Sequence, residues 1–236
     1  MVVGATGAVG MALARRCAAR GERVVLVGRD SARLASLAAE LPGSVAAVAE
    51  ATDSAALRAA VGQAGGTLAG LAYCAGSIVL KPLKRATEAD FLDAFRLNAL
   101  GAALAVQAAQ DALVAGQGAV VLFSTVAVRA GFPNHAVIAA AKGAVEGLTT
   151  ALAAELAPAV RVNCIAPSLT RSAMAAPLIG NAQMAEAIAK QHPIPRLGEA
   201  ADSAALADFL LSAEAGWITG QVFPVDGGRS AVRTRG

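Results

Sequence analysis

His135, Ile138 and Lys142 stand three and four residues apart in PNHAVIAAAK (133–142), a spacing that places them on one face of a helix. Pro133 and Asn134 mark the start of that helix, with Asn134 as its expected N-cap. A histidine near neutral pKa is a credible general acid, and a positive Lys142 nearby would push that pKa down. A first-turn histidine that caps the helix or lies at the surface is the competing reading. Ile138 can neither donate nor accept a proton, whereas Thr125 offers a hydroxyl to a substrate oxygen.

A different chemistry is written at the beginning of the chain. Gly4-Ala5-Thr6-Gly7-Ala8-Val9-Gly10 follows a short apolar run and opens a helix. Glycines there let the backbone approach a pyrophosphate, whose charge then meets the helix N-terminus. A plain strand-to-helix turn is the alternative. The next strand ends Val27-Gly28-Arg29-Asp30. An acid at such a strand end grips the ribose 2′-hydroxyl of NAD(H), and an arginine suits the 2′-phosphate of NADP(H). Gly28 followed by Arg29 favours NADP(H); Asp30 turned inward would readmit NAD(H), and a solvated Arg29–Asp30 pair is the bland reading.

These groups have to be held by an α/β framework. Strands are expected at 1–3, 23–28, 44–49, 68–74, 119–124, 161–166 and 221–225, and helices at 9–20, 31–40, 54–63, 88–113, 134–156, 182–191 and 201–211. Strands alternating with helices of ten or more residues build βαβ units, hence a parallel sheet covered on both faces. The first strand is oddly short; either the true start lies upstream or the strand is truncated. One domain is expected over 1–228, followed by a basic, flexible tail at 229–236.

Composition excludes several classes. The chain has 236 residues, 56% of them apolar, with alanine supplying nearly half of that share. Tyr73 is its single tyrosine. The composition is not that of a disordered chain. The three cysteines, Cys17, Cys74 and Cys164, are too few and scattered for a disulfide scaffold. No uninterrupted apolar run reaches the roughly 18–20 residues of a membrane span. With glycine-rich sequence beginning at Gly4, no signal peptide is expected. The net charge of +3 is matched by Arg229, Arg233 and Arg235 in the tail, so no nucleic-acid footprint is left in the body. A cytoplasmic protein is expected, with no membrane or nucleic-acid partner. Cys74 and Cys164 read as buried structural thiols, and His192 lacks neighbours at metal spacing, so no metal site is expected.

With these pieces placed, the chain resembles the short-chain dehydrogenase/reductase family over essentially its full length. The segments that carry the resemblance are GATGAVG (4–10), YCAG (73–76), Asn98, FST (123–125), RVNCIAPS (161–168) and WITGQVFPVDGG (217–228). It implies a Rossmann-type doubly wound sheet of seven strands in the order 3-2-1-4-5-6-7. It implies cofactor contacts from Gly4, Thr6, Gly7, Val9, Gly10, Arg29, Glu50, Ala51, Ala75, Gly76, Lys142, Pro167, Thr170 and Ser172. Ala8 stands where the family's second glycine falls, Glu50 where an aspartate usually meets the adenine amino group, and Tyr73-Cys74 where an Asn-Asn pair is usual.

The deeper departure concerns the proton. The family's donor is the tyrosine of Tyr-x3-Lys, whose lysine binds the nicotinamide ribose and lowers the tyrosine pKa. Lys142 fits that lysine, Thr125 the family's active-site serine and Asn98 its asparagine, but Ile138 falls at the tyrosine. The segment 133–142 is also similar to the divergent enoyl reductases of bacterial fatty acid synthesis, which use Tyr-x6-Lys, with His135 where their tyrosine would be.

The expected catalytic set is therefore Lys142, Thr125, Asn98 and His135. The expected activity is an NADPH-preferring oxidoreductase acting on a small, mostly apolar carbonyl or an activated C=C or C=N bond. An inactive NAD(P)-binding scaffold or regulator is the alternative. The stretch 173–191 would form a substrate lid whose Ala, Met, Leu and Ile side chains line an apolar pocket, or merely pack on the body. The resemblance also implies a homotetramer or homodimer through helices 88–113 and 134–156, where Gly101, Gly143 and Gly147 permit close helix approach.

Overall fold

Seven strands form one parallel sheet in the order β3-β2-β1-β4-β5-β6-β7. The computed structural model describes residues 1–233, so Arg235 of the expected tail lies outside the described residues. The strands are β1 Val2–Val3, β2 Val25–Gly28, β3 Val45–Val48, β4 Gly70–Tyr73, β5 Ala119–Phe123, β6 Arg161–Pro167 and β7 Val222–Val225. In register, Val3 lies between Val27 and Tyr73, so the chain leaves β1 where the strand order reverses. In open α/β sheets that switch point is where ligands bind, at the carboxyl ends of the strands.

Alternate strand residues feed two cores. Val3, Val27, Leu71, Tyr73, Val120, Leu122 and Cys164 face one side, packed by α3 (Ser54–Gly62), α5 (Gly101–Ala115) and α7 (Ala136–Leu156). Val2, Leu26, Ala72, Val121, Phe123 and Ile165 face the other, packed by α1 (Ala8–Ala19), α2 (Ser31–Glu40) and α10 (Ala200–Leu211). Burial on both faces is why these strands read as continuous apolar runs. The alanine excess has a packing role: Ala102, Ala105 and Ala109 of α5 are fully buried, which brings that helix close to the sheet. By length and composition alone 88–115 and α7 could cross a bilayer, but both pack against the sheet as core helices.

Three expectations change. The single helix expected over 88–113 is α4 (Glu88–Phe95), a π turn at Arg96–Leu100 and then α5. Asn134 is not the N-cap of α7: it adopts a left-handed φ of 67°, and His135 takes the capping position. Asparagine tolerates that conformation better than most residues, so it makes the bend that precedes the helix. Third, Arg229 does not wave in a solvated tail. Its guanidinium lies 4.5 Å over the Phe132 ring and donates to Gln191 Oε1 at 2.6 Å. The remaining helices are α6 (Ala127–Ala130), α8 (Ala176–Ile179) and α9 (Ala182–Ala189), the last two within the stretch expected to form a lid.

Candidate active site

The loop after β1 is shaped by the absence of side chains. Gly4 has φ 81°, and a Cβ on it would fall 2.6 Å from the Ala75 amide nitrogen, so the loops after β1 and β4 touch. A Cβ on Gly10 would run into the Gly4 carbonyl. Gly7 precedes α1 and gives it no side-chain cap, and no acid occupies its first turn. The first-turn amides, Val9 and Gly10 among them, therefore have no intrahelical or side-chain acceptor at the switch point, an arrangement suited to an anion. The Thr6 carbonyl accepts from Arg33 Nη2 at 2.8 Å.

At the end of β2, Arg29 is exposed and sits 3.8 Å from the Glu50 carboxylate, with Ala51 buried beside it. Asp30 accepts from the Arg33 amide at 3.0 Å and caps α2. One oxygen of its carboxylate, Oδ1, is thus engaged by the helix. The strand end presents two arginines, Arg29 and Arg33, and Glu50 from the neighbouring strand.

The second half of the site gathers around Gly76. A Cβ there would fall 2.8 Å from Asn98 Oδ1 and 3.3 Å from Lys142 Nζ, so the two side chains converge on one point. Asn98 is fully buried. It donates to Ala94 O at 2.8 Å and Ser77 Oγ at 3.1 Å, and its Oδ1 accepts from the Ser77 amide at 3.3 Å. It projects from the π turn, whose register sets its direction. The N-terminus of its helix is fixed by a Thr87–Asp90 capping box, with Lys81 on the same carboxylate. Lys142 donates to Phe123 O at 2.7 Å, and burial lowers its pKa to about 8.

Thr125, just past β5, is half-buried and accepts from the Ala127 amide at 3.3 Å, leaving its own proton to give. Ser124 beneath it donates to Glu146 Oε1 at 2.9 Å, and Glu146 also holds Arg129 at 3.0 Å. This pins the end of β5 to α7 one turn beyond Lys142. Ile138 is buried four residues before the lysine and contributes no polar atom.

His135 lies further out, roughly 10 Å along the axis from Lys142 at 1.5 Å per residue. Its Nδ1 lies 2.8 Å from the Pro133 carbonyl, which only accepts, so Nδ1 carries a proton and Nε2 is the ring nitrogen left to exchange one. Its ring meets Phe132 edge-on at 5.4 Å. The structure thus brings Lys142, Asn98 and Gly76 together, with Thr125 on the neighbouring strand end and His135 at the rim.

The loop after β6 closes the crevice. Pro167 O accepts from the Val126 amide at 3.1 Å, joining this loop to Thr125's neighbour. Thr170 Oγ1 donates to Ser168 O at 3.0 Å, and Ser172 Oγ accepts from the Ala175 amide at 3.1 Å. His192 is buried rather than free in a loop, with Nε2 2.9 Å from Ser168 Oγ and Nδ1 3.0 Å from Ile188 O. Burial pushes both the Cys74 and Cys164 thiols up to about 12, so neither is a thiolate at neutral pH. A cavity of about 700 Å³ opens at the opposite edge of the sheet, between Met1, Arg20, Gly116 and Arg161, away from all of these groups.

Ser77, Arg33 and Glu146 belong to this arrangement and were not singled out by sequence reasoning. Arg33 carried a signal, being three residues after the capping Asp30 at a strand end. Ser77 and Glu146 carried none, since serine in a loop and glutamate on a helix are ordinary.

A family model described as enoyl-(acyl carrier protein) reductase matches residues 4–230. The chain is 36% identical to inactive 2-(S)-hydroxypropyl-CoM dehydrogenase 2 of Xanthobacter autotrophicus, over 93% of this chain and 100% of that one. It is 35% identical to the L-tagatose-forming galactitol 2-dehydrogenase of Cereibacter sphaeroides, over 96% and 92%. Among solved structures, the gluconate 5-dehydrogenase of Burkholderia cenocepacia, in complex with NADP and tartrate, superposes with a TM-score of 0.91 at 27% identity, over 98% and 94%. Fold, crevice and relatives agree, and the chain belongs to the short-chain dehydrogenase/reductase family.

Proposed function

We propose that this chain is an NADP(H)-dependent oxidoreductase acting on a small, mostly apolar carbonyl or an activated C=C or C=N bond, with an atypical proton donor. The observation that carries the reading is the convergence of Lys142 Nζ and Asn98 Oδ1 on Gly76, where an added Cβ would press on both side chains. A dinucleotide fits the crevice: Gly4 and Gly10 let the turn after β1 fold tightly against Ala75, and the uncapped start of α1 suits a pyrophosphate. The NADP bound to the solved relative supports the same class of cofactor. When bound, the nicotinamide supplies or takes the hydride.

The chain's own residues do the rest. Gly4, Thr6, Gly7, Val9 and Gly10 line the pyrophosphate turn. Arg29 and Arg33 favour a 2′-phosphate, because Asp30 is engaged in capping α2. Glu50, Ala51 and Ala75 flank the adenosine side, and Gly76, beside Lys142, flanks the nicotinamide side with Pro167, Thr170 and Ser172. Lys142 holds the nicotinamide ribose, and Asn98 keeps the polar network around it in register. Thr125 donates a hydrogen bond from its hydroxyl to the substrate oxygen. His135 exchanges the substrate proton, directly or through a water. With Nδ1 fixed on Pro133, its Nε2 accepts a proton during alcohol oxidation and returns it, from the imidazolium, during carbonyl reduction.

Replacing His135 by alanine or glutamine then lowers turnover while NADPH affinity stays intact, read by paired kinetics and cofactor titration. Unchanged turnover would remove His135 from the reaction.

A second reading is favoured by two observations: Ile138, buried four residues before Lys142, has no proton to give, and a relative of full-length similarity bears the name inactive. On this reading the chain is a cofactor-binding scaffold or regulator. In either case we place it in the cytoplasm as a homodimer or homotetramer, joined through α4, α5 and α7.

A further inference from the structure

We infer that Arg229 forms an anion subsite at the substrate end of the crevice, so that the substrate carries a compact anionic group, such as a carboxylate, a few bonds from its reacting carbon. This rests on the oxidoreductase reading and deepens it. Among the described residues, five arginines stand in the segments after the carboxyl ends of β5, β6 and β7: Arg129, Arg171, Arg196, Arg229 and Arg233. Arg129 pairs with Glu146, Arg171 with Glu199 and Arg196 with Asp202. Arg229 differs from these three: among the described residues its partners are the Gln191 amide oxygen at 2.6 Å, Ser168 Oγ at 3.5 Å and the face of Phe132 at 4.5 Å, all neutral. Asp226, the acid that acts on it from further off, spends its oxygens on the amides of Gly228 and Ser230.

A guanidinium carries five N–H donors in a planar fork, and these partners engage two of them. A half-buried positive charge with donors to spare matches a bidentate carboxylate or another compact oxyanion. The surroundings hold the fork still. His192 Nδ1 donates to Ile188 O, so its Nε2 accepts from Ser168 Oγ, and that hydroxyl presents its lone pair to Arg229. Phe132 supports the guanidinium from below and carries His135 at its edge.

Placement ties the subsite to the chemistry. The Ser168 amide donates to Val225 O at 3.2 Å, and Pro167 O accepts from Val126, the residue after Thr125. Arg229 therefore stands between the segment that presents Thr125 and the one that presents His135. A carbonyl held at Thr125 would have its anionic end directed toward Arg229, with the apolar residues of 173–191 over the carbons between.

The test uses full-length protein saturated with NADP+ and calorimetric titration of matched pairs: acetoacetate against pentane-2,4-dione, and 4-oxopentanoate against hexane-2,5-dione. The expected result is that at least one acid binds roughly tenfold or more tighter than its neutral partner. Arg229→Gln abolishes that ratio and Arg229→Lys restores part of it. Equal affinities in the wild type, a preference that survives Arg229→Gln, or no saturable binding of either acid would overturn the proposal. Calorimetry reads binding without hydride transfer, so the two readings fail separately. An acid preference without NADPH oxidation supports the subsite and counts against the reductase; turnover of neutral ketones without acid preference does the reverse.

Discussion

The Tyr73 hydroxyl donates to the carbonyl oxygen of Leu97 at 2.6 Å, joining the end of β4 to the π turn that carries Asn98. Such a turn interrupts the regular helical ladder, and a buried carbonyl within it needs a partner. Gly101 closes the arrangement, since a Cβ there would collide with the same hydroxyl. The chain's one tyrosine is therefore a structural brace on the asparagine's segment. Burial raises its pKa, which keeps it a donor.

Tyr73→Phe removes that bond and takes this partner from the part-buried Leu97 carbonyl. The expected cost is about 1–3 kcal/mol of stability, read as a lower denaturant midpoint with an unchanged slope. Gly101→Ala should cost more, because it adds a collision to the lost geometry. A Tyr73→Phe variant as stable as the wild type would show that the brace is dispensable.

Arg33→Ala should weaken NADPH binding by roughly tenfold or more while leaving NADH nearly unaffected, as expected for a lost charge-assisted contact to the 2′-phosphate. Fluorescence titration of both cofactors reads this directly. Equal losses for the two would place Arg33 in the loop's structure, through its bond to the Thr6 carbonyl, and outside cofactor choice.

Lys142 gives two pH dependences of opposite sign. Its pKa is lowered by burial from 10.5 to about 8, so between those values the unfolded chain binds more protons than the folded one. Stability should rise with pH across that window, with the full penalty present below about 8. Anionic NADPH, in contrast, favours charged Lys142, so affinity is highest below about pH 8 and falls as pH rises through it. Both dependences should flatten in Lys142→Met. Parallel pH titrations of unfolding and of NADPH binding check this; a wild-type affinity that ignores pH would contradict it.

Leu92, Phe95 and Leu100 remain exposed along α4 and the π turn, next to the Ala- and Gly-rich face of α7. Burial of this strip against a second copy is what the assembly proposal requires. Phe95→Glu should then lower the mass in sedimentation from a dimer or tetramer to a monomer. An unchanged mass would place the interface elsewhere.

Much of this was legible in the residues. Alternating runs such as LVG and VVLF, separated by alanine-rich helices, specified a parallel α/β sheet because doubly buried strands have no polar face. The glycine turn and its position at the switch point were legible for the same reason. The break at Arg96–Leu100 was not: a π turn differs from an α-helix by one residue of register, and Ala-rich sequence has propensity for both sides of it. The placement of His135 was half legible. Its spacing from Lys142 is helical, but the left-handed Asn134 makes His135 the cap and turns its Nδ1 back to Pro133. Arg229 was illegible, because its partners Phe132, Ser168 and Gln191 are far away in sequence and only the fold assembles them.

Nicotinamide absorbance tests the central claim most directly. Purified protein is mixed with NADPH and a panel of ketones, keto acids, quinones, imines and enones, and the reduced cofactor is followed in time. The account predicts substrate-dependent oxidation by the wild type, with the rate strongly reduced in Lys142→Met. Tight NADPH binding with no oxidation across the panel would contradict it and leave a cofactor-binding scaffold in its place.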